Sequence, residues 1–177
     1  LHKPNGELCT ESYEIFCSKA WTGMVITIKM AFVSTLIGFI ISVPIASLAA
    51  NNLVPLPIAI PARIVLAGLR SLPSIIWALL FAIALGFGPL PGILAMTLYT
   101  IGYLGKLQYE AMEGIANAPL ESAMAMGLTH SERLFHVVIP ESSNDLLIQL
   151  MFMFEYNVRH VTLLGLVGAC GIGMYID

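Results

Sequence analysis

Apolar residues fill long blocks of this chain, and charged positions stand between them. From Met30 to Ala62 no charged residue occurs over 33 positions, and roughly 20 consecutive apolar residues can cross a bilayer as a helix. A first span, A, is expected over residues 23–48, with Lys29 near one end, where its stem can lie along apolar surface. Pro44 falls inside it, which is tolerated where neighbouring helices satisfy the freed carbonyl. Asn51 to Pro61 holds Pro55, Pro57 and Pro61 and reads as a loop or interfacial stretch. Span B is expected over residues 62–85, with Arg63 at its start. Gly86 to Gly92 reads as a turn. Span C covers residues 92–106 and can run on to Tyr109; it is short for a crossing unless it tilts or continues. Span D covers residues 143–158, with Glu155 and Arg159 at its far end. Residues 1–20 carry five charges and read as a water-facing segment, and residues 160–177 are apolar and rich in glycine.

Composition fixes the class. Of the 177 residues 58% are hydrophobic and 11% charged, with mean hydropathy +0.85; a soluble domain carries about 25% charged residues. A fold of this size cannot cover a water-facing surface with so few charges, so the chain is expected to be an all-α integral membrane protein whose partner is the lipid bilayer. The net charge of −3 contains no basic stripe, which argues against nucleic acid. Apolar content excludes disorder. Cys9, Cys17 and Cys170 form no metal-ligand spacing. Cys9 and Cys17 fit either a small disulfide loop in an oxidising compartment or two free thiols. His130 and His136 are six apart and share no helix face. Met151 and Met153 read as packing residues. Gly165, Gly168, Gly171 and Gly173 suit close helix approach or a re-entrant turn. No nucleophile–base set and no GxxxxGK[ST] loop occurs, so no catalytic residue is assigned and ATP hydrolysis would belong to a partner. The chain starts Leu-His-Lys and stops at Asp177 after glycines, and both ends read as cuts in a longer membrane protein.

Residues 106–145 break the pattern, holding eight of the 19 charges. Pro119 suits the first turn of a helix, and Glu121 in the same turn complements the helix dipole. Ala123, Met124, Ala125 and Met126 favour helix, and Gly127 suits the left-handed position beyond its end. Thr129 and Glu132 have capping-box spacing. A second helix is expected from His130 to Val138, ended by Pro140. Local chemistry therefore places two short helices with a sharp turn between two spans. Such a pair fits the groove of a partner protein or lies in the interface as an ordinary amphipathic element.

Glu121-Ser122-Ala123, Gly127 six positions after Glu121, and Val137-Val138-Ile139-Pro140 resemble the EAA loop of ABC importer permeases. The family pattern is EAA, three residues, Gly, nine residues, then Ile-x-Leu-Pro; this chain departs at Ser122, Val137 and Ile139. Arg70-Ser71-Leu72-Pro73, Trp77 to Phe81 and Gly86 to Pro89 resemble the phosphonate-type permeases, as do Phe154 to Arg159 and Leu164 to Ala169. Cys170 stands where that family usually has glycine. The resemblance covers residues 24–177. It implies a type I ABC importer transmembrane domain, a fragment with four to five spans. Residues 1–20 would be an external segment and residues 21–177 the truncated permease domain, with its EAA-type coupling loop at 107–142.

In such a protein Glu121, Ser122, Ala123, Gly127, Ile139 and Pro140 would dock the ABC ATPase subunits, and ATP and Mg would sit on those subunits. No cofactor is expected on this chain. A periplasmic or lipoprotein substrate-binding protein and a second copy of the chain are the other implied partners. The location would be the cell inner membrane, with the coupling loop and residues 51–62 cytoplasmic and residues 1–20 and 160–177 outside. The substrate class would be phosphonate, phosphite or a related phosphorus oxyanion. A methionine-type permease shares the fold and a similar ending. A secondary transporter would need buried carboxylates for ion coupling, and spans A to C contain none. Arg70, Asn157 and Arg159 are candidates for the translocation path. Arg70 would lie about 10 Å inside span B, where a guanidinium must face protein, water or an anion. Both arginines also fit structural roles, Arg70 at a helix break near Pro73 and Arg159 paired with Glu155 at i,i+4.

Overall fold

The first 20 residues of the uncharged block that follows Lys29 lie in one long helix, α1 (Lys19–Ala49), with Pro44 inside it. The structure is a computed structural model and describes residues 19–165. Residues 1–18 of the expected polar segment, Cys9, Cys17, Cys170 and the glycines at 168, 171 and 173 lie outside the described residues, while Lys19 and Ala20 begin α1. After α1 come α2 (Leu56–Ser71), α3 (Ser74–Leu85), α4 (Pro89–Glu113), α5 (Asn117–Ala125) and α6 (His130–Arg133). A π turn over Leu134–Val138 then leads into α7 (Ile139–Gly165), and no strand occurs among the described residues.

Expected span C lies within the longer α4, which starts at Pro89 inside the expected 86–92 turn and runs to Glu113, and span D lies within the longer α7. Three further boundaries differ from those read in the sequence, and proline accounts for each. The expected loop to Pro61 stops at Pro55. Pro57 is the second residue of α2, where its missing N–H has no intrahelical partner anyway, and Pro61 sits inside the helix at the cost of one bond. Span B is two helices, because Leu72 and Pro73 adopt extended backbone (ψ 135° and 144°) between α2 and α3; a residue before proline is pushed out of the helical region. Pro140 does not end the helix after His130. The Ile139 N–H reaches back five residues to the Leu134 carbonyl. The hydrogen-bond ladder is thus already out of register where Pro140 lacks its donor, and helix continues to Gly165. Among the described residues α1 is the one helix long and apolar enough to cross a membrane alone, and α2 with α3 reaches that standard only as a bent pair.

The chain forms two compact units. The described part of the first comprises residues 19–34, 73–96 and 154–165. In it Met30 and Ala31 of α1, Ala78 of α3, Ala95 and Met96 of α4, and Val161 and Leu164 of α7 form a buried core. Phe32 meets Phe154 edge-on at 6.3 Å.

The second unit comprises residues 35–72 and 97–153. Its helices approach closely where side chains are small, the usual device where lipid offers no hydrophobic drive to helix pairing. A Cβ on Gly38 would stand 2.5 Å from Thr100, and one on Gly102 would stand 2.9 Å from the Arg70 backbone nitrogen. Gly105 likewise leaves no room beside Leu66. Ala49, Leu66 and Ile101 bury one cluster. Ala46, Ala50, Leu53, Met112, Leu120, Leu134 and Val138 bury a second, which joins the end of α1 and the 50–55 loop to α4, α5 and the π turn.

Candidate functional site: the helical turn at residues 117–140

α5 ends in a Schellman motif. The Leu128 N–H bonds the Ala123 carbonyl at 3.2 Å and the Gly127 N–H bonds the Met124 carbonyl at 3.0 Å. The motif requires a left-handed residue, and Gly127 has φ +75°. Two residues later Thr129 caps α6. Its Oγ1 accepts from the Glu132 N–H, while the Glu132 carboxylate accepts the Thr129 N–H at 2.8 Å. Orphan backbone groups at the junction of α5 and α6 are thus satisfied within the short stretch from Ser122 to Arg133, by the backbone turn at Gly127 and the side chains of Thr129 and Glu132. Hydrogen bonds to the Thr129 backbone and then to its hydroxyl, with a weaker contribution from His136, hold the Glu132 carboxyl below the usual glutamate range.

Packing fixes this turn to the rest of its unit. Leu120 of α5 and Leu134 and Val138 of the π turn are buried against Met112 of α4 and Leu53 of the 50–55 loop. His130 Nδ1 lies 3.4 Å from the Leu53 carbonyl. Ser142 donates to the Val138 carbonyl at 2.6 Å, supporting the widened turn. What remains exposed is a mixed surface bearing Glu121, Met124, Met126, Ser131 and Phe135. An exposed apolar group of this kind, rimmed by polar residues, suits a protein partner.

The expected docking residues are thereby gathered in one unit, with different tasks. Ala123 is fully buried, which explains a small residue there, whereas Glu121 and Ser122 are exposed. The Ser122 hydroxyl donates to the Pro119 carbonyl at 2.9 Å. Ile139 packs against the second cluster. The expected path residues are arranged differently. Arg70 is exposed near the end of α2 and makes no ion pair among the described residues. Arg159 is exposed and pairs with Glu155 one turn before it on α7. Asn157, between them in sequence, is fully buried. Of the two methionines expected to pack, Met153 is buried and Met151 is exposed. An open pocket of about 480 Å³ is lined by Phe154, Glu155, Val158, Arg159 and Thr162.

Sequence reasoning missed the residues that anchor this turn. Arg63 pairs with Glu113, 50 positions away, and Asn52 donates to the Met112 carbonyl. Nothing local marks such pairs. A weak signal existed in Gly102 and Gly105, whose spacing of three on a helix suits close packing.

Residues 42–176 match the family of binding-protein-dependent transport system inner membrane components. The phosphite transport system permease protein PtxC of Stutzerimonas stutzeri is 40% identical over 148 residues, which cover 83% of this chain and 54% of that protein. The phosphate-import permease protein PhnE of Mycolicibacterium smegmatis is 38% identical over 148 residues, covering 83% of this chain and 28% of that one. The chain therefore spans about half or less of the length of these curated relatives. The methionine ABC transporter MetNI in inward-facing conformations superposes with a TM-score of 0.79 at 24% identity, over 88% of this chain and 77% of that one. That likeness is one of fold, the type I ABC importer transmembrane fold.

Proposed function

From a chain that belongs to the family of binding-protein-dependent transport system inner membrane components, we propose a permease subunit of an ATP-driven importer for phosphonate, phosphite or a related phosphorus oxyanion. The observation that carries the coupling role is the stretch at 117–138: a locally capped helix pair and π turn with an exposed apolar group, packed through Leu120, Leu134 and Val138 onto α1 and α4. Identity to the phosphite and phosphate permeases supports the substrate class.

In this reading the loop 107–142 is cytoplasmic and sits in a cleft of the ATPase subunit, which holds ATP and Mg and does the hydrolysis. Two copies of the chain form the pathway, with a substrate-binding protein on the far side. Closure of the ATPases on nucleotide moves α5 and α6, and the attached helices change which end of the pathway is open. Further crossings by α4 and α7 accompany α1 and the α2–α3 pair. Arg70 and Arg159 supply positive charge along the way. An anion gains from an intramembrane guanidinium, and Arg159 carries Glu155 as a counter-charge until the anion arrives.

The test is uptake by the complete transporter in proteoliposomes with its ATPase and binding protein. Phosphite accumulation that requires ATP and binding protein supports the reading. Uptake of methionine in place of phosphite overturns the substrate class, and an ATPase subunit that does not co-purify overturns the coupling role.

A further inference from the structure

Arg63 ends the uncharged block, and its head group ties several elements of the second unit together. Its Nε donates to the carbonyl of Ala49, the last residue of α1, at 2.8 Å. Its Nη2 pairs with Glu113, the last residue of α4. The same Glu113 oxygen accepts the Asn51 N–H at 2.7 Å, and the Asn52 amide donates to the Met112 carbonyl at 2.7 Å. The guanidinium also lies 4.7 Å from the centre of the Tyr109 ring. One side chain of α2 therefore holds the C-terminal ends of two other helices and the loop between α1 and α2. That loop in turn touches the capped turn, through Leu53 in the shared core and through the Leu53 carbonyl beside His130.

The pair is poor material for stability alone. The two side chains are 30% and 27% exposed, and partly wet ion pairs contribute little net free energy. What the arrangement supplies is register. A lysine at 63 could not serve the Ala49 carbonyl and the Glu113 carboxylate from two fixed nitrogens at once. Further along, α2 and α4 leave no slack, since a Cβ on Gly102 would meet the Arg70 nitrogen and the Leu69 Cβ at 2.9 Å each. A shift of α2 at Arg63 must then be carried to Arg70, about 10 Å along the helix, because packed interiors transmit displacement rather than absorb it.

We propose that Arg63 and Glu113 are positioning residues that make α2 and α4 follow the docking turn, so that movement imposed at 117–133 reaches the stretch of α2 ending at Arg70. The inference rests on the coupling role proposed above. It is tested in the complete transporter by measuring phosphite uptake per ATP hydrolysed, the stimulation of hydrolysis by the binding protein, and the melting temperature of the complex. Arg63→Ala is expected to lower uptake per ATP about tenfold, within the range typical of coupling between sites, while the ATPase subunit still co-purifies and melting moves little. Arg63→Lys should recover only part of the ratio. Glu113→Gln keeps an acceptor for the Asn51 N–H and removes the charge, and it serves where Arg63→Ala fails to assemble. In the double variant with Glu113→Ala the losses should not add, because each removes the same link.

An unchanged ratio of uptake to hydrolysis in Arg63→Ala and Glu113→Gln overturns the proposal. So does a fall in uptake that tracks the melting temperature and disappears on cooling, which would mark a purely structural pair. If the wild-type complex does not take up phosphite, only the substrate class fails, and the coupling is read from binding-protein stimulation instead. If Gly127→Val retains a fully stimulated ATPase, the docking role itself fails, whatever Arg63 does.

Discussion

Gly127 is the residue on which the turn between α5 and α6 depends, because φ +75° is open to glycine and costly to a β-branched side chain. No atom lies within 4 Å of a Cβ built there, so the penalty of Gly127→Val is conformational and not a clash. The variant should insert into the membrane normally yet lose or uncouple the ATPase. Co-purification of that subunit at wild-type yield and turnover would count against the assignment. Arg70 poses the opposite case, a charge whose side chain has no ion-pair partner among the described residues. Its backbone is clamped against Gly102, so its position does not depend on its head group. Arg70→Gln is therefore expected to lower phosphite uptake several-fold more than it lowers assembly or basal hydrolysis. Arg70→Lys should be partly tolerated, keeping the charge without the planar fork. Parallel losses of melting temperature and uptake in Arg70→Gln would show a structural arginine.

Short elements were legible where their chemistry is local. The Schellman turn at Gly127 and the capping box of Thr129 and Glu132 are written within a few residues, and both stand as the spacing implies. The passage of the chain through Pro140 was not legible. It depends on a π turn whose Leu134 and Val138 are held by Met112 and Leu53, far away in sequence. The same holds for the Arg63–Glu113 tie and for the break at Leu72–Pro73 that divides what reads as one apolar span. The capped α6 also carries a pH dependence. Glu132 is held below the ordinary glutamate range mainly by hydrogen bonds from Thr129. A carboxyl with a lowered folded-state pKa stabilises the fold fully above its unfolded value, and that contribution is lost as pH falls through the folded value. Thr129→Ala should speed amide exchange over residues 130–133 about fivefold near neutrality, as loss of a cap worth about 1 kcal/mol implies. The gap between variant and wild type should narrow in acid, where protonated Glu132 loses its charge-assisted bond from the Thr129 hydroxyl, and should persist in part, because the Thr129 Oγ1 still accepts the Glu132 N–H. A gap that persists unchanged below the glutamate range would mean that the carboxylate takes no part in the cap.

The orientation of the chain follows from which segments its helices hold together. In the second unit the 50–55 loop, the end of α4 and the turn at 117–133 share a core and a set of hydrogen bonds. They must therefore lie on one side of the membrane, and under the proposed docking on an ATPase that side is the cytoplasm. α4 has 25 residues, about 37 Å of helix at 1.5 Å per residue, against a hydrocarbon core of about 30 Å. By length and composition α4 does not pass as a crossing helix on its own, but its charges, Lys106, Glu110 and Glu113, all fall in its last third, which supports the proposed crossing by its apolar part. The turn at 86–88, before α4, should then face the opposite compartment from the turn at 126–128, beyond its other end. With Cys9, Cys17 and Cys170 replaced by serine, the variants Phe87→Cys and Met126→Cys each place one thiol at an exposed position. An impermeant maleimide added to intact cells with a permeabilised outer membrane should label the first and spare the second. Inverted vesicles should reverse the pattern. Labelling of both from one side would mean that α4 does not cross, and would remove the route by which a cytoplasmic motor could act on the far end of the pathway.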